Sequence, residues 1–276
     1  MRALPAHALA RALRARLAPL WQRCTLALIT PLPCDTRALA PAAAVDLGGI
    51  LRHSPRSDAC WQAAGLTGLL PEEVPGGVNA GDRRALYYLV HGRAARSVLE
   101  IGTHVGASTL YLAAALRDAA GGQAHLVTVD VRDVNDAATG PWRAAGLAGP
   151  PGELLLAIAC EAQVTFECGT ALNYLAAPGP SFDLIFLDGD HLASAVYREV
   201  PAALRRLNAG GVIVLHDYFP ALRPLWPAGE LIPGPWLAIE RLHREGAALR
   251  ALPLGELPWP TKLGSRYTSL AVLAAG

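Results

Sequence analysis

The sequence lacks the features that mark several classes of protein. Its five cysteines are scattered and never spaced as C-x-x-C, which argues against a disulfide framework or a zinc site and favours a reducing compartment. No uninterrupted apolar run approaches the roughly 20 residues that a membrane-spanning helix needs. Basic and acidic residues nearly cancel, at 24 against 23, so no overall field attracts nucleic acid. We therefore expect a cytoplasmic protein without a membrane span or a nucleic-acid partner.

Lysine is also nearly missing, because Lys262 is the one lysine among the 24 basic residues. Arginine in its place, together with abundant alanine, suggests a GC-rich bacterial genome. Charged residues make up only 17% of the chain and hydrophobic residues 52%. This balance is typical of a globular protein with a sizeable core.

The first 34 residues carry five arginines and no acid. Leu9, Leu13, Leu17 and Leu20 lie at helical spacing, which predicts an amphipathic helix. Such a segment resembles an organelle transit peptide or a membrane-surface helix, or an arm that packs on the catalytic domain or on a second subunit. The bacterial composition favours the arm, while a peripheral membrane contact and a homodimer stay open. We expect residues 1–78 to form this helical arm or lid and residues 79–276 the catalytic domain.

Strands and helices alternate along the second region. Asn79 or Asp82 is a suitable cap for a first helix. The expected helices are 83–91, 108–116, 153–160, 193–207 and 235–246. The expected strands are 97–101, 125–129, 164–167, 182–187, 211–215, 249–254 and 268–273. Because the strands are apolar without alternation, the pattern predicts an α/β fold: a doubly wound, mostly parallel, seven-stranded, Rossmann-like sheet.

The strongest local signal is the glycine turn, residues 100–108, which reads EIGTHVGAS. A strand ends in Glu100, turns through Gly102 and Gly106, and enters a helix whose first N–H groups are free to bind a ligand. An acid at the mouth of this turn disfavours a phosphate but suits a cationic head such as that of S-adenosylmethionine. The turn therefore predicts a nucleoside-type ligand with a positive charge.

Asp130 ends the next strand, where an acid can accept hydrogen bonds from both hydroxyls of a ribose. NAD enzymes carry an acid in a similar place, so Asp130 indicates an adenosine but not which cofactor. The glycine turn has His104 where the dinucleotide fingerprint needs glycine. This disfavours an NAD-linked oxidoreductase, which remains the alternative enzyme class.

Polar clusters also end two later strands, with Asp188 and His191 after the fourth and His216 and Asp217 after the fifth. Ligands of open α/β sheets bind beyond the carboxyl ends of the strands, so these clusters should face one crevice. A non-catalytic nucleotide-binding scaffold protein would have no use for acids at four strand ends. We therefore expect an enzyme.

Segment 97–218 resembles the class I S-adenosylmethionine-dependent methyltransferases, especially the bacterial branch with macrocin-type O-methyltransferases and cephalosporin-hydroxylase relatives. The resemblance implies O-methylation of a small molecule, of natural-product type. It also implies cofactor-binding roles for the following residues: Glu100, Gly102, Thr103, Gly106, Ser108, Asp130, Gly169, Thr170 and Asp188. Gly169 and Thr170 fall where the family contacts the adenine.

Some relatives hold a divalent ion at the ends of the fourth and fifth strands. Asp188 and Asp217 could hold magnesium here, since it prefers oxygen ligands. His216 departs from the acidic pair of those relatives and suits a softer ion or metal-free base catalysis. His191 and His216 are candidate bases for the acceptor hydroxyl, with Asp217 as the third catalytic candidate. The aromatic residues Tyr218, Phe219, Trp226 and Trp236 could either cover the acceptor or bury their loop on the sheet.

Overall fold

The computed structural model describes residues 6–120, 123–227 and 231–276, and the side chains of these residues except those of 6–16. The expected apolar stripe therefore lies partly outside the described side chains, since it includes Leu9 and Leu13. Among the described helices, none combines the length and hydropathy needed to cross a bilayer.

The described residues form ten α-helices and seven strands, connected by loops and short 3-10 turns. The helices are α1 Ala6–Ala27, α2 Leu47–Arg52, α3 Pro55–Ala63, α4 Ala80–Gly92, α5 Thr109–Ala120, α6 Pro141–Ala144, α7 Pro151–Leu156, α8 Ala171–Ala176, α9 Ala193–Leu204 and α10 Gly234–Arg244. The strands are β1 Ser97–Ile101, β2 His125–Asp130, β3 Val164–Cys168, β4 Phe182–Leu187, β5 Leu207–Leu215, β6 Leu249–Pro253 and β7 Ala271–Ala275.

All seven strands lie in one sheet, in the order β3-β2-β1-β4-β5-β7-β6. Strands β1 to β5 pair in parallel, and β7 is antiparallel to both β5 and β6. The chain reverses its direction across the sheet after β3, so the ends of β1 and β4 are neighbours. This is the switch point at which open α/β sheets bind ligands. The expected fold class is confirmed.

Alternate residues of the central strands face opposite hydrophobic cores. In β1, Val98 packs into the core beneath α4 and α5, whereas Leu99 packs into the core beneath α8, α9 and α10. In β4, Phe186 and Ile185 divide in the same way. Burial on both faces explains why these strands are apolar without alternation.

Residues before α4 pack against both faces of the sheet. Gln22 of α1 accepts a hydrogen bond from the backbone N–H of Ala193 at 2.8 Å, and Leu26 is buried in the α9–α10 core. Farther along the chain, Leu39 forms a parallel β-bridge with Gly211 of β5. The expected arm thus contacts the rest of the molecule along much of its length.

Several element boundaries differ from the sequence-based ones, and three of these differences have a local reason. Helix α9 ends at Leu204, three residues earlier than expected, because β5 already begins at Leu207, which pairs with Phe182. The helix expected over 153–160 instead spans Pro151–Leu156, with proline at its first position, where no N–H is needed. The last strand begins at Ala271, later than expected, because residues 268–270 are buried but lie outside the ladder that β7 forms with β5 and β6.

Candidate active site

A cavity of about 1340 Å³ opens at the carboxyl ends of the parallel strands. Each of the four central strands contributes residues from its end or from the loop that follows. These lining residues are Ile101 of β1 and Gly102 after it, Val129 and Asp130 of β2, Asp188 to His191 after β4, and His216 and Asp217 after β5. The expected crevice is therefore present, and it is large enough for a nucleoside cofactor together with a second molecule.

The glycine turn brings the end of β1 close to the end of β4. Gly102 has a φ of +100°, a conformation that glycine adopts at no steric cost. A Cβ atom at Gly102 would collide with the carbonyl oxygen of Asp188. Gly106 also has a positive φ, but its close neighbour is the ring of Pro151. The two glycines therefore serve different packing contacts, and of the two only Gly102 lines the cavity.

Glu100 is fully buried behind this turn and does not line the cavity. Its carboxyl accepts hydrogen bonds from Ser108, from Thr109 at 2.6 Å and from Thr128 at 2.6 Å. Burial raises the pKa of Glu100 to about 7, although these three hydrogen bonds oppose the shift. The expected direct contact of Glu100 with a cationic ligand does not hold, because the three hydroxyls surround the carboxyl and hold it in the turn.

Three further residues of the turn lie away from the cavity surface. Thr103, Gly106 and Ser108 are among the predicted cofactor-binding residues, yet none of them lines the cavity. The Thr103 hydroxyl is instead hydrogen-bonded to the Thr128 hydroxyl at 2.6 Å. Their side chains therefore shape the turn, whose exposed surface is Gly102 and His104.

Asp130 lines the cavity at the end of β2, as expected. Its Oδ2 accepts a hydrogen bond from the backbone N–H of His104 at 2.8 Å, and its Oδ1 accepts one from the backbone N–H of Arg132 at 3.0 Å. The Arg132 guanidinium adds a hydrogen bond from Nε to Oδ1 at 3.1 Å and one from Nη2 to Oδ2 at 3.5 Å. The two backbone donors and this side chain together fix the carboxylate at the strand end. Gly169 and Thr170, which follow β3, line the same cavity.

His216 lies between acids from three elements. Its Nδ1 is 2.8 Å from Asp188 Oδ1 and 3.7 Å from Asp217 Oδ2, and its Nε2 is 3.3 Å from Asp82 Oδ2. Burial favours the neutral ring, but the charges of Asp188 and Asp217 and the hydrogen bonds with Asp188 and Asp82 raise the pKa of His216 well above its usual value. An imidazolium whose two N–H groups both face carboxylates cannot take a proton. This is at odds with the expectation that His216 acts as a base.

His191 is more open than His216, with 38% of its side chain exposed. Its Nδ1 is 3.6 Å from Asp217 Oδ2, and its Nε2 is 3.9 Å from Asp188 Oδ1. One ligand atom each from Asp188, His191 and Asp217 lies within 4.8 Å of the others. Two carboxylate oxygens and a ring nitrogen at such distances fit the donor set of a divalent cation.

Asp217 is held in an uncommon backbone conformation, with a φ of +52°. Aspartate tolerates this left-handed region better than most residues. The Ser269 hydroxyl, from the approach to β7, donates to Asp217 Oδ1 at 3.3 Å. Such local strain concentrates at functional sites, which is consistent with a role for Asp217 in the reaction.

Comparison with known proteins identifies a family that this part of the chain matches. Residues 99–218 match the model of a family described as a methyltransferase domain. The chain carries a methyltransferase domain. The matched residues run from β1 to the residue after Asp217, so they contain the glycine turn, Asp130 and the acid–imidazole cluster. The sequence-based recognition of a methyltransferase is confirmed.

Individual relatives agree with this assignment. A protein of Mycolicibacterium smegmatis, provisionally named an O-methyltransferase, is 29% identical over 130 residues, which are 44% of this chain and 50% of that protein. The chain thus spans about half the length of this curated relative.

Two solved structures have the same fold. The O-methyltransferase TomG of Streptomyces achromogenes, described as involved in tomaymycin synthesis and solved with S-adenosylmethionine, aligns with a TM-score of 0.52 and 20% identity over 85% of this chain and 96% of its own. The Bacillus cereus O-methyltransferase, solved with S-adenosylhomocysteine, aligns with a TM-score of 0.51 and 17% identity over 95% of this chain and all of its own.

Elements outside the matched segment cover the methyltransferase domain's cavity. Phe219 and Trp226 line it and pack edge to face, with ring centroids 5.6 Å apart. The Lys262 ammonium lies 5.3 Å from the ring of Trp226. Tyr218 and Trp236 pack on each other instead and do not line the cavity. The aromatic loop thus divides into one pair that lines the cavity and one pair that packs away from it, and a role in covering the acceptor stays a prediction.

Residues 71–79 precede α4, and we call them the entry segment. Residues 73–79 of it line the cavity. The fully buried Arg83 donates to the carbonyl oxygens of Val78 at 2.6 Å and Glu72 at 2.7 Å. A guanidinium has a planar fork of donors that can bind several carbonyls at once. Arg83 therefore fixes the path of the entry segment over the cavity.

Asp82 is the functional candidate that the sequence did not reveal. Sequence reasoning considered it only as a helix cap, and Asn79 is the residue that caps α4. Asp82 is fully buried, and its Oδ2 contacts Asn79 Nδ2 at 2.7 Å as well as His216. Its Oδ1 is buried without a hydrogen-bond partner among the described residues. The contact between α4 and the end of β5 joins residues 134 positions apart, which local patterns cannot show.

Proposed function

We propose that this chain transfers a methyl group from S-adenosylmethionine to an oxygen atom of a small molecule of natural-product type. One observation carries the proposal: the methyltransferase domain brings Asp130, Asp188, His191 and Asp217 to a single cavity at its strand ends. TomG, which shares the fold, contains S-adenosylmethionine and is described as part of tomaymycin synthesis. The expected cofactor and activity agree with this relative.

Each wall of the cavity has a part in this proposal. Asp130 accepts hydrogen bonds from the ribose hydroxyls, and Gly169 and Thr170 border the adenine. Gly102 allows the backbone to approach the methionine portion closely, and Asp188 faces its positive charge. Phe219 and Trp226 cover the acceptor and exclude water from the reacting atoms.

Methyl transfer requires an acceptor oxygen in line with the sulfonium methyl group. The oxygen forms a bond to carbon while the carbon–sulfur bond breaks and its electron pair stays on sulfur, leaving S-adenosylhomocysteine. His191 accepts the hydroxyl proton, because its ring lines the cavity and imidazole is a common general base in enzymes. Asp217, 3.6 Å away, stabilises the imidazolium that forms. His216 contributes a fixed positive charge next to Asp188.

A divalent ion is a second way to prepare the acceptor. Asp188, Asp217 and His191 would hold it, and magnesium is the candidate that two carboxylates favour. Such an ion would lower the pKa of the acceptor hydroxyl. Addition of EDTA to an active preparation distinguishes the two. Loss of activity that magnesium restores supports the ion, and unchanged activity supports His191 acting alone.

Titration calorimetry tests the proposed cofactor. We expect the protein to bind S-adenosylmethionine and S-adenosylhomocysteine but not NAD. Absence of heat with both sulfur nucleosides would refute the proposed function. Asp130→Ala should weaken binding by about ten- to a hundredfold, since it removes hydrogen bonds between a charged group and the ribose. The exposed Asp133→Ala, in the loop just after β2, is the matched control and should bind as the wild type does.

We propose that residues 1–78 act as the arm and lid of a catalytic domain formed by 79–276, in a cytoplasmic protein that binds no nucleic acid. The exposed Leu17, Leu20 and Trp21 of α1 are where a second copy or a membrane surface would make contact. Light scattering with and without lipid vesicles tests both contacts.

A further inference from the structure

Helix α9 carries a buried acid that the proposed reaction does not use. Glu199 is only 5% exposed, yet it lines the cavity, as does Ala195 one turn earlier on the same helix. Glutamate is almost never buried unless it is paired. The carboxyl is thus withdrawn from bulk solvent while part of it remains on the cavity wall.

Glu199 has no hydrogen-bond donor among the described residues, unlike other buried acids of this fold. Glu100 receives three hydroxyl donors. Asp130, which is 7% exposed, receives the backbone N–H groups of His104 and Arg132. Burying a polar group without a partner is costly. The fold supplies hydrogen-bond donors for these acids but not for Glu199. Because Glu199 lies at the cavity wall, its missing donor indicates a group on a bound ligand.

The surroundings of Glu199 place it near one part of the proposed cofactor. Helix α9 packs against α8, and α8 begins after Thr170, whose side chain caps it. Leu172 and Asn173 of α8 line the same cavity. The residues that border the adenine under the proposed function therefore lead directly into the helix beside Glu199.

We infer that the carboxyl of Glu199 binds the 6-amino group of the cofactor's adenine. This inference rests on the proposed function, because it takes S-adenosylmethionine as the ligand. The 6-amino group donates a hydrogen bond, and the adjacent ring nitrogen N1 accepts one. A protonated carboxyl matches this edge with its carbonyl oxygen and its O–H.

Burial, together with the nearby charge of Asp190, raises the pKa of Glu199 to about 7. The acid can thus be protonated near neutral pH, when it is able to form both hydrogen bonds. An ionised carboxylate would still accept from the amino group. Glutamine in its place would also offer one carbonyl acceptor and one N–H donor, so it should be able to replace Glu199.

The test compares S-adenosylhomocysteine with its purine analogue, in which a hydrogen atom replaces the 6-amino group and N1 is unchanged. Both ligands are titrated calorimetrically into the full-length protein at pH 7. We expect the wild type to prefer S-adenosylhomocysteine by about ten- to a hundredfold, the value of a buried hydrogen bond to an ionisable group. Glu199→Leu should reduce this preference to less than about threefold, and Glu199→Gln should retain it. Glu240→Leu, on α10 and outside the cavity, is the control and should bind as the wild type does.

The outcomes separate this inference from the proposed function. A wild type that binds neither nucleoside refutes the proposed function and the inference with it. A wild type that binds both equally, or a Glu199→Leu protein that keeps the preference, refutes the inference alone. If Glu199→Leu changes only the KM of a methyl acceptor, the carboxyl binds the acceptor and the inference is wrong. Should the leucine variant fail to fold, Glu199→Met takes its place, and its preference is compared with that of the wild type.

Discussion

Asp82 shows how a residue outside the matched segment can act on the reacting centre. It lies on α4, while His216 follows β5 and Asp188 follows β4. The hydrogen bonds run from Asn79 through Asp82 and His216 to Asp188. The imidazolium of His216 thus joins two carboxylates and fixes the one at the cavity wall. Partners of this kind orient the groups that contact the reactants.

Replacing Asp82 with asparagine should lower the pKa of His216. The hydrogen bond with the Asp82 carboxylate favours the charged form of the His216 ring, whereas burial favours the neutral form. Without the carboxylate, the effect of burial on the pKa is opposed less. We expect NMR of the labelled imidazole to show His216 losing its proton at a lower pH in Asp82→Asn than in the wild type. Activity should fall by about ten- to a hundredfold, with S-adenosylhomocysteine affinity changed less than about threefold. Asp118→Asn, which removes an acid bonded to Tyr87, should change neither. An unaltered His216 titration in Asp82→Asn would contradict the assignment.

Glu199 should make the ligand-free protein less stable as the pH rises. Its pKa is raised from 4.5 to about 7 in the fold, so the native state binds more protons than the unfolded chain between these values. Stability is therefore lost as the pH rises through this window, on the order of 3 kcal/mol. The negative charge of Asp190 adds to the cost of ionising Glu199. The exposed Arg198 lines the same cavity.

Glu199→Leu should consequently be more stabilising at pH 8 than at pH 5. Urea unfolding of the wild type and the variant at both pH values measures the difference. Glu100 also has a raised pKa, but it is present in both proteins and cancels in the comparison. Glu240→Leu controls for the added apolar side chain. A stability difference that is the same at pH 5 and pH 8 would show that Glu199 is ionised without cost.

At the scale of elements, the turn after β1 depends on the missing side chain of Gly102. Gly102→Ala should impair the site in two ways, because its φ of +100° disfavours a Cβ atom and the atom would collide with the Asp188 carbonyl. We expect S-adenosylhomocysteine affinity to fall more than about tenfold, as Asp188 is displaced. Gly65→Ala is the matched control, since Gly65 has a φ of +72° but nothing within 4 Å of the added atom. It should cost about 1 kcal/mol of stability and leave the affinity unchanged. Equal affinities in the two variants would argue against the contact with Asp188.

The ends of the strands could be predicted from the sequence because each is a local pattern. An apolar run followed by an acid or histidine identified Asp130, Asp188, His191 and Asp217, and all four line the cavity. Parallel strands bring their carboxyl ends to one edge, so the meeting of these residues follows from the fold class.

The sequence could not show which way the side chains point or which distant groups they meet. Glu100 occupies a strand end like Asp130, but hydroxyls at 108, 109 and 128 turn it away from the cavity. Asp82 and Glu199 lie inside helical patterns, where an acid normally indicates a solvent-exposed face. Their burial depends on how α4 and α9 pack, which is a property of the tertiary structure.

At the scale of the whole molecule, the arm and the sheet share hydrogen bonds and a core. The backbone N–H of Ala40 donates to Gly211, and that of Ala275 donates to Ala40, both at 2.8 Å. Residues 38–41 thus lie along the adjacent edges of β5 and β7. On the face covered by α4 and α5, the core includes Leu51, Leu66 and Leu70. The proposed division at residue 78 therefore separates two roles rather than two independent cores.

A chain that lacks residues 1–78 should accordingly fail to unfold cooperatively on heating. The deletion would remove Trp61 from the rings of Tyr87 and Tyr88. It would also leave Arg83 without the carbonyls that it binds. The loss of this apolar contact should lower the free energy of unfolding by more than the 5–15 kcal/mol by which domains are typically stable. Calorimetry and near-ultraviolet circular dichroism of the shortened chain measure the result. A chain that begins at residue 17 is the control, because it keeps the contacts of Gln22 and Leu26, and it should melt within a few degrees of the full-length protein. If residues 79–276 alone melt cooperatively near the full-length Tm, the arm is dispensable for folding, and its contribution is confined to covering the cavity.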